Sequence, residues 1–505
     1  MVALSKTGLT PLCQQLIAPA TLPRPPAGQG LSVLSYNVLL PNSQDGWWNY
    51  KMYLPPLSPE NEFVSTWEHR RSLLRERIGL IDADVVCFQE VSPLSFEQDF
   101  AFMAEEGYDG VELFRKGRFR PATFWKKDRV ELVAPAQHKD RTMLTAFRIL
   151  DREPSNSHNL NDVDTSTNAK IGRRRHGEAG DNEKSSKNWH VLNCHLQAGK
   201  QGGRRVRQIV EGVGAAVKLA KKLQEKDPSN INLVVCGDFN GGTECGAVQY
   251  LESGSIGPDF FEDGEQVSSK EKILPLSSPL IDVYCVDRDG KSAPPTLVVS
   301  ELISIMIDDG NIETCFIDPE FSEGVMDRFK RIYNRFATLQ CSDGSLQMDK
   351  ADVEAWLTII NKKIGRGTEF RNAAKFMGWV EQTISEDSDN DGNKGEESKT
   401  NKKKSRPPIR IPNNGVLQFE DFIAVYRDEL RQGKFWGIAW DLAQLGEPLQ
   451  VNDIFGARYD RMYCSASLAP LAVIDTLCNK PCPNESEPSD HLPIAATFQI
   501  CQLGK

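Results

Sequence analysis

The sequence predicts an α/β domain that is interrupted by a helical insertion, and three observations lead to this prediction. Apolar runs of strand length alternate with helical patterns in the first half of the chain, as in LSVLSYNVLL (31–40) and VVCFQEV (85–91). Helical periodicity dominates residues 301–440. Strand patterns return at 458–465 and 494–501, so the α/β domain is completed near the end of the chain.

The remaining predicted elements lie between the first strands and the insertion. The segment 67–81 carries apolar residues such as Leu74 and Ile78 at helical spacing. Ile209 and Val213 belong to a second stretch with the same spacing. Further strands are predicted at 121–127, 142–150, 190–196 and 232–240. This alternation of strands and helices is typical of layered α/β folds.

Length and composition set the domain plan. The chain has 505 residues, too many for one ordinary domain, and its 39% hydrophobic and 26% charged residues fit a globular protein. We therefore assign residues 31–300 and 451–505 to the α/β domain and residues 301–450 to the insertion. Residues 1–30 are expected to form a disordered tail or a weak targeting segment.

Two polar stretches lack a periodic pattern. Residues 151–188 are predicted to be a long surface loop, and the charged tract 385–407 is predicted to be disordered. No apolar run approaches the ~18 residues of a membrane span, and the twelve cysteines are scattered. We therefore expect a soluble, intracellular protein with reduced thiols, cytoplasmic or nuclear, with organelle targeting left open. The net charge of −10 disfavours broad coating of nucleic acid but allows a local basic cleft.

Polar side chains that can hold a metal recur where the predicted strands end. They are Asn37, Glu90, Asn193, His195, Asp238, Asn240, Asp460, Asp490 and His491. A carboxylate or imidazole that ends a buried strand costs free energy unless it is paired, hydrogen-bonded or metal-bound. A single one would be an ordinary cap or turn residue, but six such strand ends predict one shared site.

Phosphodiester hydrolysis requires the residue types found in this set. Mg²⁺ prefers one or two carboxylates together with water and phosphoryl oxygens, and Glu90 and Asp490 are the candidates for this role. A carboxylate such as Asp238 can take the proton of an attacking water.

The other members of the set suit transition-state stabilisation. Hydrogen-bond donors are needed where charge builds on the phosphoryl group. The candidate donors are Asn37, His195, Asn240 and His491. Asp460 is predicted to orient and polarise the imidazole of His491.

Seven motifs occur in an order that resembles a known family. They are SYNVL, WEHRR, DADVVCFQEV, ATFWK, LNCHL, GDFN and SDHLP. Together they resemble the endonuclease/exonuclease/phosphatase superfamily, and within it the branch of carbon-catabolite-repressor-type deadenylases, nocturnin and angel. The resemblance covers most of residues 31–297 and 452–501.

This resemblance implies a four-layer α/β sandwich, in which two packed sheets are flanked by helices, together with Mg²⁺ and phosphoester cleavage. The family's catalytic roles fall on Asn37, Glu90, His195, Asp238, Asn240, Asp460, Asp490 and His491, none of which is replaced.

The match departs from the family in two places. Leu39 stands where members that cut abasic DNA carry an aspartate, which disfavours DNA repair. Deadenylases of this branch tend to place an adenine-holding proline in the stretch equivalent to 197–200, and this chain has none there. Phe455 matches the aromatic partner of that adenine clamp. Poly(A) is therefore one candidate substrate.

Basic and aromatic residues offer further contacts to a substrate. Arg204 and Arg205 could meet substrate phosphates, or they could form a solvated helix face. A set of aromatic residues could stack on bases, with core packing as the equally weighted alternative. These are Trp47, Trp48, Tyr50 and Tyr53.

The insertion contains parts of calcium-binding EF-hand loops. Such a loop needs oxygen ligands at positions 1, 3 and 5, a glycine at 6 and an acid at 12. Asp387, Asp389 and Asp391 supply a first half-loop, and Leu417 at position 8 with Asp421 at position 12 supplies a second. The sequence predicts one split loop, or two partial loops, that could bind Ca²⁺.

An upstream loop around 343–346 is interpreted as a degenerate hand. Its register places Leu339 at position 1 and Lys350 at position 12, and neither residue can be a ligand. An EF-hand-like pair with one degenerate member is thus predicted, and it offers a surface for protein partners.

Three functional hypotheses follow. The leading one is a Mg²⁺-dependent 3′-exoribonuclease, with RNA or a nucleotide as substrate, regulated by the calcium-binding insertion. The second keeps the same site but removes a phosphate from a small nucleotide or a phosphoinositide. The third is a calcium-binding adaptor on an inactive hydrolase scaffold, which the complete set of site residues disfavours.

Overall fold

The computed structural model describes residues 22, 30–150, 188–285, 293–308, 317–378, 380–381, 409–474 and 478–501. The predictions for the tail 1–30, the loop 151–188 and the tract 385–407 therefore fall almost entirely outside the described residues. Among the helices that are described, none is both long and apolar enough to cross a bilayer.

The chain divides into two compact units. The first, here called the sandwich unit, comprises Met1–Asn49, Phe63–Val299 and Gly456–Lys505. The second, here called the helical unit, comprises Tyr50–Glu62 and Ser300–Phe455. That the segment Tyr50–Glu62 joins the helical unit was not indicated by the sequence pattern.

Twelve strands of the described residues form the two sheets of the sandwich unit. In chain order they are β1 (Gly30–Asn37), β2 (Val85–Val91), β3 (Gly110–Leu113), β4 (Arg120–Trp125), β5 (Val130–Lys139), β6 (Thr142–Ile149), β7 (Trp189–His195), β8 (Asn232–Asp238), β9 (Ile281–Asp282), β10 (Asp460–Cys464), β11 (Leu468–Ile474) and β12 (Ile494–Ile500).

Each sheet has six strands and one parallel pair. The first has the order β11-β12-β1-β2-β4-β3, and the second has the order β9-β10-β8-β7-β6-β5. The pairs β1–β2 and β7–β8 are parallel, and the remaining neighbours of these central strands are antiparallel. The parallel pairs therefore end side by side at one edge of each sheet.

The helices of the sandwich unit are α1 (Trp67–Ile81), α2 (Gly202–Lys222) and α3 (Gly246–Ser253), together with the short helices Phe96–Asp99 and Phe102–Glu105. Thr66 caps α1 by accepting a hydrogen bond from the His69 backbone N–H at 3.3 Å. Short 3₁₀ turns and two-residue strands complete the unit. They are Val283–Cys285, Ser255–Ile256, Phe261–Glu262, Glu265–Gln266 and Lys272–Ile273, and the 3₁₀ turn Pro59–Ser65 spans the chain boundary between the two units.

Alternation along the strands produces three apolar layers. In β1, Leu34 packs in the cluster that contains Leu74 and Ile78 of α1, whereas Val33 packs in the cluster that contains Val191 of β7. Successive strand side chains point to opposite faces, so one sheet contributes to two cores. A third cluster joins the second sheet to α2 and α3. Helices, two packed sheets and helices give four layers, so the predicted four-layer α/β sandwich is confirmed.

The helical unit has five main helices among its described residues: α4 (Glu323–Phe336), α5 (Lys350–Asn361), α6 (Gly367–Phe376), α7 (Phe419–Arg431) and α8 (Phe435–Gln444). Its short elements are Asn49–Met52, Leu297–Ser300, Ile303–Met306, Leu339–Gln340, Leu346–Gln347, Val380–Glu381, Ile409–Arg410 and Ile454–Ala457, some of which lie at the unit boundaries. Aromatic contacts fill its core: Phe329 stacks on Tyr426 with ring centroids 4.5 Å apart, and Trp356 lies 4.9 Å from Phe422.

Two loops of the helical unit meet at an antiparallel bridge between Met348 and Leu417. The helix that follows each loop begins with a capping box, formed by Asp349 with Asp352 before α5 and by Gln418 with Asp421 before α7. The Asp421 carboxylate accepts the Gln418 backbone N–H at 3.2 Å.

This bridge corrects the register predicted for the first loop. If Leu417 occupies position 8, its partner Met348 occupies position 8 as well, so positions 1 and 12 fall on Cys341 and Asp352 rather than on Leu339 and Lys350. The residues 343–345 form the turn of a hairpin, because Cys341 N–H donates to the Ser345 carbonyl at 2.8 Å. Asp387, Asp389 and Asp391 lie outside the described residues.

Candidate functional site

The predicted site residues converge at the edge where the parallel strand pairs end. Asn37 ends β1, and Glu90 lies one residue before the end of β2. In the second sheet, His195 is registered with Asp238, and Asp238 is registered with Asp460 at the start of antiparallel β10. Three neighbouring strands therefore present these three side chains in one row, as expected from parallel β7 and β8.

Asp238 is the centre of the site. Its Oδ1 accepts the Asn240 backbone N–H at 2.8 Å, and its Oδ2 accepts the side-chain amides of Asn37 at 3.1 Å and Asn240 at 3.0 Å. Gly237 precedes it with a φ of 134°, and a Cβ there would lie 1.9 Å from the Cys194 carbonyl oxygen, so only glycine fits. Burial and nearby Asp460 raise the pKa of Asp238 to about 7, although His491 opposes the shift.

Glu90 is turned towards Asn37 by an irregularity in its strand. The β2–β4 register shifts between Phe88 and Val91, and Glu90 has a φ of 63°, which is left-handed backbone. Its Oε1 accepts the Asn37 amide at 3.3 Å, and its Oε2 accepts the Leu40 backbone N–H at 3.3 Å. Burial, followed by the charge of Asp490, raises the pKa of the Glu90 carboxyl.

His195 is neutral. Burial, followed by the charge of Arg141, lowers the pKa of its imidazole to about 3. Its Nδ1 lies 2.9 Å from the Phe119 carbonyl oxygen, so the neutral ring donates there and leaves Nε2 as an acceptor. This Nε2 lies 3.7 Å from both Glu90 Oε1 and Asp238 Oδ2.

His491 is the positive charge of the site. Its Nδ1 donates to Asp460 Oδ2 at 2.6 Å. Burial alone would lower the pKa of this imidazole, but Asp460, Asp490 and Asp238 raise it well above its usual range. Two histidines in one site thus hold opposite protonation states, since His195 has a cation beside it and His491 has carboxylates.

Two neighbours complete the arrangement. The side-chain amide of Asn240 donates to the Leu196 carbonyl at 3.0 Å as well as to Asp238, which fixes its orientation. Asp490 is half-buried, and the hydroxyl of the adjacent Ser489 donates to the Asn37 carbonyl at 2.7 Å. The segment 489–491 is therefore hydrogen-bonded to the end of β1.

The donor set fits a divalent cation. Among the described residues, two groups of three ligand atoms lie within 4.8 Å of one another: Glu90, His195 and Asp238, and Asp238, Asp460 and His491. Asp490 belongs to neither group. The Asp460 Oδ1 atom is buried without a hydrogen-bond partner. Crowded carboxylates with raised pKa values and an unpaired carboxylate oxygen are stabilised by a hard cation.

Arg70 is a positioning residue that the site analysis of the sequence missed. It is fully buried in α1, its Nε donates to the Pro488 carbonyl at 2.7 Å, and its Nη2 donates to the Val38 carbonyl at 2.7 Å. It therefore ties the segment after β1 to the segment before Asp490. The WEHRR motif contains this residue, but no pattern in the sequence says that its guanidinium reaches two loops.

Asn193 lies two residues before His195, on the same face of β7, and contacts residues of the first sheet. Its side-chain oxygen accepts the Gln89 amide at 2.8 Å, and its own amide donates to the carbonyls of Phe88 at 3.1 Å and Ala122 at 2.9 Å. These bonds join the two sheets, and they identify Asn193 as a buried structural polar residue.

The two arginines predicted to contact a substrate lie in different environments. Arg205 is buried, and its guanidinium bonds to Glu262 Oε1 and to the carbonyls of Gln197 and Gly199, so it holds a loop instead of facing a substrate. Arg204 is exposed and binds Asp140 at 3.3 Å.

The aromatic candidates are placed as follows. Phe455 is half-buried in the strand Ile454–Ala457 and belongs to the helical unit. Tyr50 packs on Trp440 with ring centroids 5.1 Å apart, and Tyr53 is buried, so the packing alternative holds for both. Trp47 and Trp48 are half-buried.

Comparisons with known proteins agree with this geometry. Residues 34–256 match the family model described as Endonuclease/Exonuclease/phosphatase family. The chain is 22% identical over 249 residues to the CCR4-Not complex 3'-5'-exoribonuclease subunit Ccr4 of Schizosaccharomyces pombe, covering 45% of this chain and 35% of that protein. It is 25% identical over 252 residues to 2',5'-phosphodiesterase 12 of Homo sapiens, covering 48% and 39% of the two chains.

The chain spans less than half of the length of either curated relative. Among solved structures, ANGEL2, a 2',3'-cyclic phosphatase, in complex with adenosine-2',3'-vanadate, is similar with a TM-score of 0.43 and 16% identity. That similarity covers 94% of this chain and 96% of the other.

Proposed function

We propose that this chain is a phosphoester hydrolase of the endonuclease/exonuclease/phosphatase superfamily and, more specifically, a Mg²⁺-dependent 3′-exoribonuclease. The observation that carries the proposal is the row of His195, Asp238 and Asp460, with Glu90 and Asn37 facing it from the other sheet. The exoribonuclease named among the relatives supports RNA as the substrate class.

Glu90, with Asp490 beside it, would hold the magnesium ion, as expected from the sequence. The bound ion would neutralise phosphoryl oxygens and stabilise charge on the leaving oxygen. The carboxylate pair suits this cation because Mg²⁺ binds through few protein carboxylates and keeps its remaining ligands for water and phosphate.

Asp238 would act as the general base. A pKa of about 7 lets its carboxylate accept a proton near neutral pH and release it afterwards. The amides of Asn37 and Asn240 both donate to Oδ2, so they orient the carboxylate.

The two histidines would have different roles in the reaction. His491, held cationic by Asp460, would donate to the phosphoryl group as negative charge develops. His195 is neutral, and its Nε2 would accept a hydrogen bond from water or a hydroxyl in the site.

The experiment compares substrates with one protein preparation. Full-length protein with Mg²⁺ is incubated with 5′-fluorescent RNA, with the same RNA carrying a blocked 3′ end, and with the DNA equivalent. A ladder that shortens only the free 3′ end of RNA supports the proposal, and Asp238→Asn should abolish it. Products released from a nucleotide or a phosphoinositide instead, with RNA intact, would establish the small-molecule alternative.

Calcium regulation is the finer part of the proposal. The bridged loops of the helical unit, with matching capping boxes, support an EF-hand-like pair. Calorimetric titration of the full-length protein with Ca²⁺, alongside the Asp387→Ala, Asp389→Ala double variant, tests it. Heat of binding that the variant loses supports the module, and its absence at millimolar Ca²⁺ would overturn it.

A further inference from the structure

Two arginines flank the backbone that holds His195. The His195 backbone N–H donates to the Arg141 carbonyl at 3.0 Å, and its ring donates to the carbonyl of Phe119, the residue before Arg120. Arg120 begins β4, and Arg141 lies in the turn between β5 and β6. Both cations are therefore attached to the segments that position a catalytic side chain.

Neither guanidinium has a carboxylate of its own. Among the described residues, none forms a side-chain hydrogen bond or ion pair with half-buried Arg141. Arg120 Nη1 donates to the Asp140 backbone carbonyl at 3.1 Å, and its Nε is buried without an acceptor. Its guanidinium also lies 4.8 Å from the centre of the Phe114 ring, which fixes its plane.

The acid between the arginines is already engaged elsewhere. The Asp140 carboxylate accepts Arg204 at 3.3 Å and Gln208 at 2.7 Å, and Arg207 lies 3.6 Å from it. All three partners belong to α2. The charge of Asp140 is thus shared with that helix, and among the described residues no carboxylate forms a direct ion pair with Arg120 or Arg141, although Asp140 acts on both at longer range and Glu90 on Arg141.

Electrostatics agrees with this surplus of positive charge. Burial, followed by the charge of Arg120, lowers the pKa of Arg141, and burial also lowers the pKa of Arg120. An arginine stays charged in proteins, so two half-buried guanidinium groups that repel each other cost free energy. A bound anion would remove that cost.

We propose that Arg120 and Arg141 bind a second phosphate group of the substrate, next to the phosphate that is hydrolysed. The proposal rests on the proposed phosphodiesterase function and specifies its substrate class. Guanidinium groups bind phosphate oxygens with paired donors and do not distinguish bases. The preferred substrate therefore carries at least two phosphates, as an oligonucleotide does, and a lone phosphoester is a poor one.

The test uses two substrates that differ in one phosphate. A diribonucleotide with a 5′-phosphate and the same diribonucleotide without it are cleaved by wild type, Arg141→Ala, Arg141→Lys and Arg148→Ala. Arg148 is an exposed arginine of β6 that faces Glu131 at 3.8 Å, and it is the matched control. Wild type and Arg148→Ala should prefer the phosphorylated substrate, measured as a ratio of kcat/KM.

Arg141→Ala should lower that ratio by roughly ten- to a hundredfold, the value of charge-assisted hydrogen bonds to one phosphate. Arg141→Lys keeps the charge but loses the paired donors, so its kcat/KM ratio should lie between those of wild type and Arg141→Ala. A ratio that is equal in wild type and Arg141→Ala, with both proteins folded by circular dichroism, would overturn the proposal.

Failure of the proposed function gives a different result. If wild type cleaves neither diribonucleotide, the exonuclease assignment fails, and the arginines are then tested by calorimetry with inorganic pyrophosphate. Binding that weakens about tenfold or more in Arg141→Ala but not in Arg148→Ala supports the anion site. Equal binding by all three proteins overturns it. If Arg141→Ala does not fold, Arg141→Lys and Arg120→Lys carry the same comparison.

Discussion

Each of the two units buries a cluster of carboxylates, and the clusters differ in how their charge is balanced. At the sandwich edge, Glu90, Asp238, Asp460 and Asp490 surround His491, and among the described residues no lysine forms an ion pair with any of them. In the helical unit, three acids lie against two lysines. They are Glu369, Glu429 and Asp441, with Lys51 and Lys434.

Each of the three acids of the helical cluster contacts a lysine. The buried Lys51 Nζ lies 3.2 Å from Glu369 Oε1 and 3.0 Å from Asp441 Oδ1, and Lys434 lies 2.9 Å from Glu429 Oε2. Burial opposes the charge of Lys51, but Asp441 and Glu369 raise its pKa. This cluster joins the segment Tyr50–Glu62 to α6 and α8 within one unit.

The difference separates a structural cluster from a functional one. Where buried acids contact lysines, removal of one partner destabilises the fold, because the other charge is left buried and unpaired. Acids without lysine partners are retained where a cation or a substrate supplies the missing charge. The same substitution should therefore have opposite consequences in the two clusters.

The largest expected effect is on catalysis. Asp238→Asn cannot accept a proton, so kcat should fall by at least about three orders of magnitude, or about 4 kcal/mol, with KM nearly unchanged. Steady-state kinetics on RNA with Mg²⁺ measures this loss. Glu131→Gln, at an exposed position of β5, is the control with normal turnover. A loss of less than about tenfold would place the base elsewhere.

Stability should suffer most in the helical cluster. Asp441→Ala removes a partner of the buried Lys51, and breaking a buried pair in this way costs about 3 kcal/mol or more. Hydrogen exchange read by mass spectrometry should show lost protection in α8 of the full-length protein. Protection equal to that of wild type would mean that Lys51 finds compensation without Asp441.

The helical cluster should also make local stability depend on pH. Burial raises the pKa of Asp441 to about 8, far above its unfolded value, so the folded state holds an extra proton between these values. Stability present at low pH is therefore lost as the pH rises through about 8. Protection of α8 should fall by about 2 kcal/mol from about pH 6 to about pH 9. Asp441→Asn should flatten this dependence.

The smallest expected effect is a gain in stability rather than a loss. Glu90→Gln removes one charge from the uncompensated cluster and keeps the shape of the side chain, so the protein in EDTA should become more stable by about 1 kcal/mol. Thermal unfolding measures the change. Mg²⁺ should stabilise wild type and not the variant. A variant that is less stable than wild type in EDTA would show that Glu90 is structurally satisfied without a cation.

Sequence reasoning succeeded where a residue's neighbours follow from strand order. His195 and Asp238 end adjacent parallel strands, so their proximity is a property of the α/β pattern. Asp460 follows from the same pattern, because an antiparallel strand begins at the edge where its neighbour ends.

Sequence reasoning failed where position depends on turns and long-range packing. Arg141 lies in a tight turn with no periodic pattern, and only the fold brings it beside His195. The register error in the first helical loop has a similar cause, since the residues 343–345 that suggested a ligand loop serve as a hairpin turn. No local signal in the sequence marks the partners of buried Lys51, which lie 318 and 390 residues away.

The pairing of β1 with β12 has a consequence for synthesis on the ribosome. Strand β1 lies between β2 and β12 in the first sheet, and the Ser489 to Asn37 hydrogen bond spans 452 residues. During translation the first sheet therefore stays incomplete until β12 has been synthesised. A nascent chain that stops before Asp490 can form neither the Ser489 to Asn37 hydrogen bond nor the contact between His491 and Asp460. Chains truncated before β12 should be inactive and should expose the unpaired edge of β1 to chaperones.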